Sequence, residues 1–234
     1  MNENLKLKPM PFWMSLLFFG IPTVLLYLAT YRVIPFLNEN TAIPPVVNWF
    51  ISGGVLVFVP LLVASLAAYR HEGGPMSWTA IKKRFRLNPM TKSDWLWTIG
   101  LLVFTFAASG LLMMTGLDTS PPFLPFEGLS KGEEWILLAW LPFFASIIIG
   151  EEFMWRGYIL PRQEISHGKW AWFINGFFWT VFHLSFGWGL IILLLPLMFL
   201  LPWVVQKQKN TWIGIIVHGT VNGLGFISIA LGLK

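Results

Sequence analysis

Trp135 to Gly150 is an unbroken apolar run, and it leads straight into Glu151-Glu152-Phe153-Met154-Trp155-Arg156. A charged side chain at the centre of a membrane helix costs roughly 2.5–3.5 kcal/mol on insertion scales. Two acids and a base at that depth therefore call for partners or a function. Candidate partners lie on two further apolar segments: Trp179-Thr180-Val181-Phe182-His183 and His218-Gly219-Thr220-Val221-Asn222.

The rest of the chain fits the same reading. Of its 234 residues 56% are hydrophobic and 12% charged, whereas a soluble domain carries about 25% charged residues. The fold class expected is all-α, a polytopic membrane helix bundle of about seven transmembrane helices. The spans are Trp13–Tyr31, Val46–Ala68, Trp95–Leu117, Glu134–Leu160, Trp170–Phe186, Leu190–Gln206 and Trp212–Leu231. They leave no room for a separate soluble domain, so residues 1–234 form one integral membrane domain. Residues 1–129 hold the N-terminal spans and a basic loop; residues 130–234 hold the motif-bearing helices. Only Gly187-Trp188-Gly189 separates the fifth and sixth spans, which predicts a tight hairpin. There is no Cys, which excludes disulfides, thiolate metal sites and a cysteine nucleophile. No Gly-x-Ser-x-Gly elbow is present either.

Loop charges set the orientation. Lys6 and Lys8, the stretch from Arg70 to Lys92, Arg162 with Lys169, and Lys207 with Lys209 all fall on one side of a seven-span chain. The loop from Asp118 to Glu134 is acidic and Pro-rich. This places the N-terminus in the cytoplasm and the C-terminus outside, and it accounts for the net charge of +5 without nucleic acid. Met76 to Leu87 reads as a short amphipathic helix, with Trp78, Ile81, Phe85 and Leu87 expected in the lipid interface.

A rise of about 1.5 Å per residue puts Glu151 roughly 16 Å in from the basic side, His183 roughly 21 Å, His218 roughly 12 Å and Asn222 roughly 18 Å. Three helices thus bring polar groups to a comparable depth. Glu152 and Arg156 are four apart and pair on one face. Glu151 points about 100° away from Glu152. The small residues Gly214, Gly219, Thr220, Gly223 and Gly225 allow close helix approach. Chemically, a carboxylate beside a His can deprotonate water, which assigns Glu151 and His183. A second His and an amide can stabilise an oxyanion, which assigns His218 and Asn222. Each group also has a plainer reading: a lone His or Asn in a membrane helix often serves as a helix-packing hydrogen bonder, and Glu152 with Arg156 as a structural pair. The chemical reading rests on all of them occurring together.

Glu-Glu-x-x-x-Arg, then aromatic-x-x-x-His, then His-x-x-x-Asn, in this order on apolar segments, resembles the CAAX protease and bacteriocin-processing family. That family includes the Ras-converting enzyme and the bacterial proteins called Abi. The first motif matches at Glu151, Glu152 and Arg156 and continues through Gly157 to Arg162; the third matches at His218 and Asn222. The second usually begins with Phe, and here Trp179 takes that place ahead of His183. The resemblance implies an intramembrane endopeptidase of a bacterial plasma membrane, open toward the cytoplasm and acting on a membrane-associated or prenylated protein or peptide. It implies no cofactor and roles for Glu151, His183, His218 and Asn222, with Glu152, Arg156 and Trp179 in support. Two alternatives stay open. One is a zinc hydrolase with Glu151, His183 and His218 as ligands. The other is a non-catalytic immunity or scaffold protein.

Overall fold

The computed structural model describes residues 7–124 and 128–233. Lys6 of the basic N-terminal segment, and Pro125, Phe126 and Glu127 of the acidic loop, lie outside them. The described residues are helical and contain no strand. The chain runs through α1 (Phe12–Asn40) and α2 (Pro45–His71), then the short α3 (Trp78–Arg84) and α4 (Lys92–Met113). α5 covers residues 135–167 as Trp135–Glu152, a π-helical stretch Phe153–Ile159, and Leu160–His167. It is followed by α6 (Ala171–Phe182), α7 (Trp188–Gln208) and α8 (Thr211–Ala230).

Six stretches are long and apolar enough to cross a membrane, and the fourth of them, Trp135–Phe186, has 52 residues. It folds back on itself at Gly168, where φ is 55°. Trp179 on α6 bonds to Glu151, and Asn175 bonds to both Trp155 and Gln163. Partners that converge along the chain in this way define an antiparallel hairpin, so the described residues make seven crossings. α6 and α7 meet at Gly187, whose φ of 91° permits the tight reversal. Leu96, Ile99, Val103 and Leu111 of α4 are exposed, as a lipid-facing helix requires. Thr91 and Asp94 form a capping box at the start of α4, and Asn210 caps α8.

The four basic segments meet at one end of the bundle. Arg162 Nε donates to the Lys8 carbonyl at 3.0 Å. Arg86 forks onto Glu164 at 2.7 and 2.9 Å, and Lys209 pairs with the same carboxylate. The Thr211 amide donates to the Arg86 carbonyl at 2.9 Å. At the other end Leu129 N–H bonds to the Ala230 carbonyl, and Tyr31 Oη–H to the Ser185 carbonyl. An odd number of crossings requires this separation of Lys8 from Ala230.

The segment after α3 departs from the expectation of a lipid-surface anchor. Trp78 is exposed, but Phe85 is fully buried and Leu87 nearly so. Phe85 fills the space beside Gly157, where an added Cβ would lie 2.6 Å from its ring, and it packs on Phe153 and Tyr69. Arg84 Nη1 donates to the Gly157 carbonyl at 3.0 Å. Pro161, four residues on, has no N–H to give to that carbonyl, which is thus open to a donor from outside the helix. The loop therefore closes the basic end of the bundle as a protein-packed plug.

Candidate active site

Glu151 and Glu152 are consecutive on α5 and so point to different neighbours. Both are buried, at 1% and 0% exposure. Glu151 turns toward α6. Its Oε2 accepts the indole N–H of Trp179 at 2.7 Å and that of Trp155 at 3.2 Å. Its Oε1 has no hydrogen-bond partner among the described residues.

Glu152 turns toward α8. Its Oε1 accepts from Arg156 Nη1 at 2.9 Å and from His218 Nδ1 at 2.9 Å. Gly214 makes that approach possible, because a Cβ on Gly214 would fall on Glu152 Oε2, with the carboxyl carbon 3.0 Å away. Gly219 and Gly223 meet Ile148 and Phe144 at ordinary contact distance, and Gly225 faces open space. The small-residue face of α8 thus has one position on which the site depends.

Hydrogen-bond partners fix the imidazole tautomers. His183 Nδ1 lies 2.9 Å from the Trp179 carbonyl. A carbonyl can only accept, so Nδ1 carries the hydrogen, and Nε2 of the neutral ring presents a lone pair. His218 Nδ1 likewise donates to Glu152, and its Nε2 faces the Asn222 side-chain nitrogen at 3.2 Å. Arg156 is fully buried and stacks on the Trp179 ring at 3.6 Å, a geometry that guanidinium planarity favours.

The site residues expected from sequence therefore occupy one cluster, in two linked sets. Glu152, Arg156, His218 and Asn222 are joined by direct contacts. Glu151 and His183 do not hydrogen-bond to each other; Trp179 lies between them and holds both. The cluster brings two carboxyl groups and one guanidinium together with the two imidazoles. No group of three or more His, Cys, Asp or Glu side chains is placed to hold a metal ion among the described residues.

Sequence reasoning missed three contributors. Trp155 is a donor to Glu151, and its i,i+4 spacing repeats that of Glu152 and Arg156, so the signal was present. Asn175 is a buried amide on an apolar helix, four residues before Trp179; it donates to the Trp155 carbonyl at 3.1 Å and to Gln163 at 2.9 Å. Gln163 in turn donates to Ser15 on α1 at 3.0 Å. This chain of amides holds α1, α5 and α6 in register beneath the site.

Residues 133–224 match the family model described as type II CAAX prenyl endopeptidase Rce1-like. Over that segment the chain is similar to the Rce1-like family. The match begins just before α5 and ends two residues beyond Asn222, so it covers every residue of the cluster. Comparison with curated proteins and with solved structures gave no match. The six apolar stretches make this an integral membrane protein, and the family match supports a CAAX-type endopeptidase in general.

Proposed function

We propose that the protein is a glutamic intramembrane endopeptidase in which Glu151 and His183 activate water and His218 and Asn222 stabilise the oxyanion. The observation that carries this reading is the asymmetry of Glu151: Oε2 is anchored by two indoles, while Oε1 has no hydrogen-bond partner among the described residues. A carboxylate held by one oxygen presents the other as a base of fixed direction. The His183 Nε2 lone pair is the second acceptor. A water between them loses a proton to this pair as its oxygen attacks the peptide carbonyl carbon.

The tetrahedral oxyanion needs donors. The Asn222 amide has two N–H groups, and one faces His218, which leaves the second for substrate. His218, held at Nδ1 by Glu152, orients that amide through Nε2, which accepts the first Asn222 N–H. Collapse of the intermediate breaks the C–N bond, and the proton first taken from water passes to the departing amine. Arg156 holds Glu152 in place through the 2.9 Å pair. No step calls on a metal. We further propose a bacterial plasma membrane location with the basic end in the cytoplasm, and a prenylated or otherwise membrane-anchored polypeptide as substrate.

The test compares terminal peptides in membranes from cells expressing the wild type, Glu151→Gln or Glu152→Gln at matched levels. Termini that disappear with Glu151→Gln would identify both a protease and its substrate. Full retention of those termini in Glu151→Gln would remove Glu151 from the chemistry and favour a partner-protein role.

A further inference from the structure

Glu151, Arg156, His183 and His218 all touch one side chain, that of Trp179, which is 2% exposed. Its indole N–H reaches Glu151 and its face carries Arg156. The two imidazoles meet it nearly edge-on, with ring centroids 5.5 and 5.3 Å away. Its backbone carbonyl receives the His183 Nδ1 hydrogen. One residue therefore holds both members of the water-activating pair, through two different groups.

We propose that Trp179 is the positioning residue of the water-activating pair, its indole N–H selecting which oxygen of Glu151 faces the water. This rests on the endopeptidase reading above. The terminal torsion of a Glu side chain is broad and roughly two-fold, so an unrestrained carboxylate presents either oxygen. Trp155 also donates to Oε2, but it lies on the same helix as Glu151 and moves with it. Among the described residues Trp179 supplies the donor from another helix, at the shorter distance. It thereby fixes Oε1 relative to His183, which lies four residues on, at the start of the 3-10 turn that follows α6. A phenylalanine in its place would keep an aromatic ring and the backbone carbonyl, but it would remove the N–H together with part of the buried bicycle. Some loss of stability is therefore expected beside the loss of the donor, and a fall in kcat at unchanged KM is the readout that separates positioning from packing.

The experiment uses the full-length protein in detergent with a quenched-fluorescent farnesylated peptide ending in a CAAX sequence. It is paired with NMR of 15N-indole-labelled protein, in which the Trp155 and Trp179 signals are assigned by Phe substitution. Trp179→Phe should lower kcat by about 10- to 100-fold, the scale of a sub-ångström loss of alignment, with KM within about twofold and only a modest fall in melting temperature. Glu151→Gln should displace the indole signals of Trp179 and Trp155. Wild-type kcat in Trp179→Phe, or a Trp179 signal unmoved by Glu151→Gln, overturns the proposal. A parallel fall in melting temperature and rise in KM would mark Trp179 as packing alone and also overturn it. An inactive Glu151→Gln beside a fully active Trp179→Phe removes only the positioning role. An active Glu151→Gln removes the endopeptidase reading and this proposal with it.

Discussion

Substituting Gly214 by Ala puts a methyl group where Glu152 Oε2 now lies, with the carboxyl carbon 3.0 Å from the new Cβ. Neither side can yield cheaply. The methyl is fixed to the α8 backbone, and the carboxylate is fully buried with Arg156 and His218 both at 2.9 Å from Oε1. A retreat of the carboxylate by about 1 Å takes both partners past hydrogen-bonding distance. Overpacking a tight interior costs about 1–3 kcal/mol, and breaking a buried ion pair costs about 3–5 kcal/mol. The expected destabilisation therefore lies between about 1 and 5 kcal/mol, nearer the upper figure if the ion pair parts. His218 loses its orienting carboxylate at the same time, so cleavage should fall by about 100-fold or more. Gly225→Ala, on the same helix, is the control. Its Cβ meets nothing within 4 Å, and stability and cleavage should stay at wild-type levels. Both variants would be unfolded in mixed detergent micelles and assayed for cleavage in parallel. Equal stability and activity in the two would refute the placement of Glu152 against α8.

Two further outcomes test the rest of the architecture. Phe85→Ala should destabilise the protein by about 3–5 kcal/mol, as for other fully buried aromatics. Gly157→Ala alone should also destabilise it, but the Phe85→Ala and Gly157→Ala double variant should be less impaired than the sum, since the missing ring makes room for the new methyl. Strict additivity in detergent unfolding would deny the plug. The absence of native cysteine allows single-cysteine labelling in intact cells without background. Lys83→Cys and Ser120→Cys, both at exposed positions, should react from opposite faces of the membrane, Ser120→Cys being the one open to an impermeant maleimide. Labelling of both from one face contradicts seven crossings.

The membrane class and the site's composition followed from linear pattern. Apolar runs of spanning length admit only helices in lipid, because every backbone polar group must find its partner within the span. Intramembrane acids and imidazoles stand out because their cost is high. Pairings at i,i+4, such as Glu152 with Arg156, could be read because helix geometry fixes them. The turn at Gly168 was legible from charge and not from hydropathy: apolar character continues through Trp135–Phe186, while Arg162 and Lys169 mark a basic loop between the fourth and fifth spans.

By itself, then, the sequence determined an all-helical membrane bundle, a common basic end, and the set of residues able to do chemistry. Tertiary structure decided which acid faces which histidine. Glu151 goes to two indoles and Glu152 to Arg156 and His218, because helix rotation and the missing side chain at Gly214 are settled by packing across three helices. It also turned Phe85 from an expected lipid contact into a buried plug. Amphipathic periodicity reports that a face is apolar, and it does not distinguish lipid from protein as the partner of that face. Lipid tails and side chains are alike in polarity, so only the shape of the neighbouring surface, here the gap beside Gly157, makes the choice.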